Sequence, residues 1–163
     1  MIKSKFRLWA FLPPVLVLMV SFLLGLIVAV SFQPKVDISS FVAFFVVLLF
    51  VFILLWLVLG ELRTKEIKVT IDGDQIKVRN FLGAGMTKFY RFNEVDGFKT
   101  SILEARQGDY EYLYLIKNNR KVVKLSEFYH RNYKELKQVI TAKTTDQGFE
   151  KFSYRREFRE IFT

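Results

Sequence analysis

Two stretches near the start of the chain carry no polar rhythm. From Leu8 to Phe32 there is no charged residue, and from Phe41 to Leu59 every residue is apolar. A bilayer core about 30 Å thick is crossed by roughly 20 helical residues, so both stretches are long enough to span it. A chain in lipid must satisfy its own backbone, which predicts two helices, over about 8–32 and 39–60. Seventeen of the 19 residues from Phe41 to Leu59 are Leu, Ile, Val or Phe. At roughly −0.3 to −0.6 kcal/mol each, insertion is strongly favoured. Pro13 and Pro14 are expected to kink the first helix or shorten its regular part. The short connection Gln33–Ser40 makes the pair an antiparallel hairpin.

After Gly60 the period changes to two. Ile67, Val69 and Ile71 alternate with Lys68 and Thr70, and Ile76 and Val78 alternate with Lys77 and Arg79. Asp72-Gly73 between them is a two-residue hairpin signal. Phe81–Gly85 reads as a glycine-bearing connection. Further strands are predicted over Met86–Arg91, Phe98–Leu103, Tyr110–Lys117 and Lys121–Leu125, with turns at Gln107-Gly108-Asp109 and Asn118-Asn119. The period then becomes helical: Tyr129, Tyr133, Leu136 and Ile140 share one face, with Ser126 as the expected N-cap. The fold class expected is α+β: a transmembrane helical hairpin, then a small antiparallel β-barrel or sandwich over 61–143, closed by that amphipathic helix. Residues 144–163 form an aromatic and basic tail, read as a linker and then a short helix carrying Phe149, Phe152, Phe158, Ile161 and Phe162.

The motifs Ile67-Lys68-Val69-Thr70-Ile71-Asp72-Gly73, Arg91-Phe92-Asn93-Glu94-Val95-Asp96-Gly97-Phe98 and Leu125-Ser126-Glu127-Phe128-Tyr129, running into Asn132-Tyr133, follow two apolar helices. In this layout the chain resembles the bacterial pleckstrin-homology-like (PH-like) membrane proteins. The resemblance implies a PH-like barrel with a C-terminal helix over roughly residues 61–142. It implies no catalytic residue and no particular lipid headgroup, because the fold hosts many functions.

Charge orients the hairpin. The chain has 163 residues and a formal net charge of +9. Lys3, Lys5 and Arg7 precede the first helix, Lys35 and Asp37 cancel in the loop, and Arg63, Lys65 and Lys68 follow the second. The positive-inside rule then predicts a multi-pass protein of the inner (cytoplasmic) membrane with both termini cytoplasmic. The basic leader also resembles a secretory signal, with Ala29 and Ser31 mimicking a cleavage site. Its apolar run exceeds the usual 7–15 residues, so a retained helix is expected. The absence of cysteine fits a reducing compartment.

Candidate chemistry is sparse. Neither span holds an ionisable residue, which argues against an ion pathway. His130 is the single histidine, expected exposed or capping near Glu127, and with no cysteine a zinc site is not expected. Asp72 and Asp74 lack the remaining ligands of a calcium loop. Gly83 and Gly85 do not extend to a nucleotide-binding fingerprint. Glu104, Asp109 and Glu111 read as solvated loop charges. No nucleophile–base pair is present, so no enzyme activity and no cofactor are expected. If Ile67, Val69, Ile76, Val78 and Phe89 face inward, alternation sends Lys68, Lys77, Arg79 and Lys88 to the outer sheet face. That stripe is either a solvated face or a contact for anionic headgroups or an acidic partner. Nucleic acid is not an expected partner, since no stacking platform surrounds the stripe. The expectation is a non-catalytic membrane protein presenting a binding or assembly surface to a protein partner or a second copy. The alternatives are sensing of anionic lipid headgroups, or an accessory subunit of a membrane enzyme or transporter.

Overall fold

The structure is a computed structural model, and it describes residues 1–31, 39–105 and 108–160. The hairpin loop with Lys35 and Asp37, Gln107 of one expected turn, and Ile161 and Phe162 of the tail lie outside the described residues, as does the Phe158 side chain.

Strand β1 (Ile2–Lys3) opens the chain, followed by a 3₁₀ turn over Leu8–Phe11 and helix α1 (Leu12–Ser31). Pro13 and Pro14 fall in the first turn of α1, where a missing N–H costs no helical bond, so the regular helix simply starts late. Helix α2 (Ser40–Leu55) runs into a π-helical segment, Trp56–Leu62. Leu8–Ser31 and Phe41–Leu62 are each long and apolar enough to cross a membrane. Their side chains face outward: Leu18 is 72% exposed and Phe41 70%.

Two four-stranded sheets follow. The first has the order β1-β2-β3-β4, with β2 (Lys68–Asp72), β3 (Gln75–Arg79) and β4 (Thr87–Arg91), all antiparallel. The second has the order β7-β6-β5-β8, with β5 (Gly97–Leu103), β6 (Tyr110–Lys117), β7 (Arg120–Ser126) and β8 (Asp146–Phe149), the last parallel to β5. Helix α3 (Tyr133–Thr141) precedes β8, and α4 (Tyr154–Glu160) follows it. The sheets do not close into a barrel. One buried cluster joins Val69, Ile71, Ile76 and Val78 of the first sheet, Leu113, Leu115, Val123 and Leu125 of the second, and Tyr133, Leu136 and Ile140 of α3. Each such side chain stabilises the fold by about 1.5–3 kcal/mol through removal from water.

The turns are local chemistry. Gly73 (φ +55°) serves the β2–β3 hairpin, and Asn118 and Asn119 (φ +52° and +58°) both adopt the left-handed geometry of a tight β6–β7 turn.

Several elements depart from the sequence reading. The first seven residues belong with the sheets and not only with the hairpin, because β1 pairs with β2 and Phe6 bridges His130. The α3 helix starts at Tyr133, not after Ser126, which ends β7 instead. Residues 146–149 form a strand, not a linker. The Phe98 N–H donates to Thr145 O at 2.9 Å and the Glu150 N–H to Thr100 O at 2.8 Å. Gly97 admits this approach: a Cβ there would sit 2.5 Å from Thr145 O. His130 is fully buried, with Nε2 2.9 Å from Ile67 O and Nδ1 3.0 Å from Ser126 O. Burial lowers its pKa, which keeps the ring neutral.

Candidate functional site: a basic cleft beside the apolar helices

The first basic region is the outer face of the first sheet. Register places Lys3, Thr70, Lys77 and Phe89 in one cross-strand row, and Lys68, Arg79 and Thr87 in the next. Lys77 Nζ lies 5.5 Å from the Phe89 ring centre, and Arg79 Nε donates to Thr87 Oγ1 at 2.7 Å. A shallow concavity of about 410 Å³ lies over this face, with Asp72 among its lining residues. Three of the four expected stripe residues, Lys68, Lys77 and Arg79, are thus brought together. Lys88 is not. It pairs with Val78 and so takes the opposite face, while Phe89 points outward and is 55% exposed. The aromatic that packs against the core is Tyr90, opposite Ile76.

The second basic region was not anticipated. A cleft of about 620 Å³ runs along the free edge of β7. Its cations come from distant parts of the chain: Arg63 after the second apolar helix, Lys88 from β4, and Lys99 from β5. β7 adds Arg120, Lys121 and Lys124, and α4 adds Arg156. Glu150 is the one carboxylate in the lining among the described residues. It pairs with Lys121 at 2.9 Å and Arg156 at 2.5 Å. Burial opposes ionisation of Glu150, but these two cations outweigh it and hold the carboxyl below its usual range.

A β-bulge clusters the lysines. Tyr114 pairs with Lys124 and Leu115 with Val123, but Ile116 pairs with Lys121, leaving Val122 as the extra residue. Strict alternation would turn Lys121 and Lys124 to opposite faces. One inserted residue turns both to the same face. Lys121 Nζ sits 4.1 Å and Lys124 Nζ 5.5 Å from the Tyr114 ring centre, and Lys124 is only 9% exposed. Phe152 covers the neighbouring Tyr112, with ring centres 5.7 Å apart. The segment Lys117-Asn118-Asn119-Arg120-Lys121-Val122-Val123-Lys124 holds four cations and no acid. That density was the available sequence signal.

A junction ties this domain to both apolar helices. The Ser4 N–H donates to Val69 O at 2.7 Å, the Val69 N–H to Ser4 Oγ at 2.9 Å, and the Arg7 N–H to Tyr129 O at 2.9 Å. Asn132 holds the leader from the side, its Oδ1 accepting from the Lys5 N–H at 2.8 Å and its Nδ2 donating to Lys3 O at 3.0 Å. At the end of the second apolar helix, Lys65 pairs with Glu61 at 2.6 Å and Tyr129 Oη donates to Glu61 Oε2 at 2.8 Å. Burial first, and the Glu61 charge second, push the Tyr129 hydroxyl pKa up. Glu66 lies beside them, fully buried, and neither carboxylate oxygen has a hydrogen-bond partner among the described residues. Burial, reinforced by Glu61, raises its pKa to about 8.

Among the described residues, no group of three or more His, Cys, Asp or Glu side chains could hold a metal ion. What the site offers is concentrated positive charge, with aromatic rings behind it. No protein-family model, curated protein or solved structure matches the chain.

Proposed function

We propose that this chain is a non-catalytic, multi-pass protein of the cytoplasmic membrane whose two-sheet domain presents a binding surface at the cytoplasmic face. The observation that carries the proposal is the junction. Residues 1–7 precede one apolar helix and residues 63–72 follow the other, yet both are hydrogen-bonded into one sheet. That arrangement supports a hairpin with both ends on one side, and supports retention of the first helix, since cleavage near Ala29 would remove β1. Lys3, Lys5, Arg7, Arg63, Lys65 and Lys68 cluster on that side, and this charge supports its placement in the cytoplasm. Two antiparallel meanders followed by the apolar face of α3 support a PH-like reading, from which the open sheets and the parallel β8 depart. A protein partner, or a membrane enzyme or transporter served as an accessory subunit, is the occupant this reading allows for the surface.

A second reading, anionic headgroup contact through Lys68, Lys77 and Arg79, is favoured by the exposed Phe89 beside Lys77. Together they offer charge to headgroups and an apolar ring to the interface.

Topology is directly testable because the chain has no cysteine. Lys77→Cys should react with a membrane-impermeant maleimide in inside-out vesicles and not in right-side-out ones. Labelling from the outer side would overturn the orientation, and release into the soluble fraction would overturn the anchor.

A further inference from the structure

We infer that the cleft along β7 is a binding site for a phosphate-bearing anion carrying two or more negative charges. Seven cationic side chains and one carboxylate line it among the described residues, and that carboxylate is already shared by two of the cations. Arg63, Lys88, Lys99 and Arg120 have no carboxylate partner among the described residues. Like charges held around a concave surface repel one another and focus a positive potential into it. A multivalent anion relieves that repulsion, whereas a monovalent one leaves most of it.

The cleft's size separates it from a charged surface. Its volume lies within the range of about 300–1,000 Å³ typical of small-ligand sites, so it accommodates a phosphate with its ester group. Its chemistry fits phosphate oxygens: lysine ammonium groups act as point charges, the Arg63 and Arg120 guanidinium forks can bind bidentately, and Asn80 and Asn119 add neutral donors. Two lysines do not reach the site by ordinary strand alternation. The Val122 bulge places Lys121 on the face of Lys124, and the rings of Tyr114 and Tyr112 back them. The charge is therefore assembled by a specific backbone irregularity.

Two sources share this chemistry. Arg63 follows directly on the apolar segment that ends at Leu62, so a phospholipid headgroup is within the site's setting, and so is a soluble phosphate ester. The lipid source rests on the membrane-anchored reading above, while the anion chemistry does not.

The test uses the full chain in phosphatidylcholine nanodiscs, titrated calorimetrically with pyrophosphate. Saturable binding is expected, weakened about ten-fold or more by Lys99→Glu with Arg120→Glu, and changed less than about two-fold by Lys77→Glu with Arg79→Glu. Lys99→Gln with Arg120→Gln repeats the test with a milder change, and thermal unfolding of each variant separates lost binding from lost fold. Nanodiscs containing cardiolipin, whose headgroup carries two phosphates, form the second arm. Competition between the lipid and pyrophosphate identifies a headgroup ligand, and unchanged pyrophosphate affinity identifies a soluble phosphate ester. Absence of saturable binding overturns the inference, as does equal weakening by both charge-reversed pairs. Tighter binding of an oligoglutamate peptide than of pyrophosphate overturns the phosphate class. Cysteine labelling reads the anchor independently, so failure of one claim is distinguishable from failure of the other.

Discussion

The two basic regions are built on different principles. On the outer face of the first sheet, Lys68, Lys77 and Arg79 follow regular alternation, sit on three adjoining strand positions and remain close to solvent. Along β7, Lys121 and Lys124 are brought to one face by a bulge, sit over tyrosine rings and join cations from four other parts of the chain. A regular strand places charge wherever the pleat allows, and a solvated face is the cheap outcome. An irregular strand that gathers like charges around a cleft is costly, and a bound anion offsets that cost.

The sharpest way to break this contrast is Lys121→Glu with Lys124→Glu. Reversing the two charges that the bulge brings to one face sets new carboxylates beside Glu150 and over the tyrosine rings, and should lower stability by about 3 kcal/mol or more and weaken pyrophosphate binding at least ten-fold. Calorimetry and thermal unfolding read both, and a folded variant with unchanged affinity would return the cleft to the status of a solvated surface.

Glu66 gives the next largest effect. Its carboxyl has a pKa of about 8 in the folded protein against an ordinary value of 4.5. Below about 4.5 both states hold the proton. Between the two values the unfolded chain releases it and the folded chain keeps it, so stability falls as pH rises and levels off above about 8. Glu66→Gln should remove that slope and stabilise the protein at pH 8–9 by about 1–3 kcal/mol. Unfolding midpoints in detergent across pH 5–9 measure it, and an unchanged slope would show that another group is responsible.

Ser4→Ala should cost about 1–2 kcal/mol, because the buried Val69 N–H loses its acceptor. Smallest of all, Lys77→Glu with Arg79→Glu should shift stability by less than about 0.5 kcal/mol, as expected for a solvated face. A large loss there would erase the distinction between the two regions.

The parts of the fold legible in sequence are those whose signal is local. The apolar runs gave the helices, and Gly73 and Asn118-Asn119 marked real hairpins. The rest was decided by tertiary pairing. Lys88-Phe89-Tyr90 offers an aromatic in either phase, so alternation alone cannot choose, and pairing with β3 turned Phe89 out and Tyr90 in. β8 is polar, exposed and held through its backbone, so it has no hydrophobic period to detect. β1 is two residues long and gains its place from bonds to residues more than 60 positions away. His130 looked like a surface residue because its partners, Ile67 O and Ser126 O, are backbone atoms. The cleft's cations come from five separate segments, and only the β7 portion forms a visible run of charge.

The central claim is that both ends of the helical hairpin are fastened into one sheet, and a crosslink tests it most directly. Lys3 and Thr70 are direct partners across β1 and β2. The spacing of paired antiparallel residues suits a disulfide. In the otherwise cysteine-free chain, Lys3→Cys with Thr70→Cys should oxidise in native membranes to a single intramolecular disulfide, seen as a mobility shift reversed by reductant. Failure to crosslink in a protein that is folded and membrane-inserted, or labelling of the two cysteines from opposite sides of the membrane, would contradict the account.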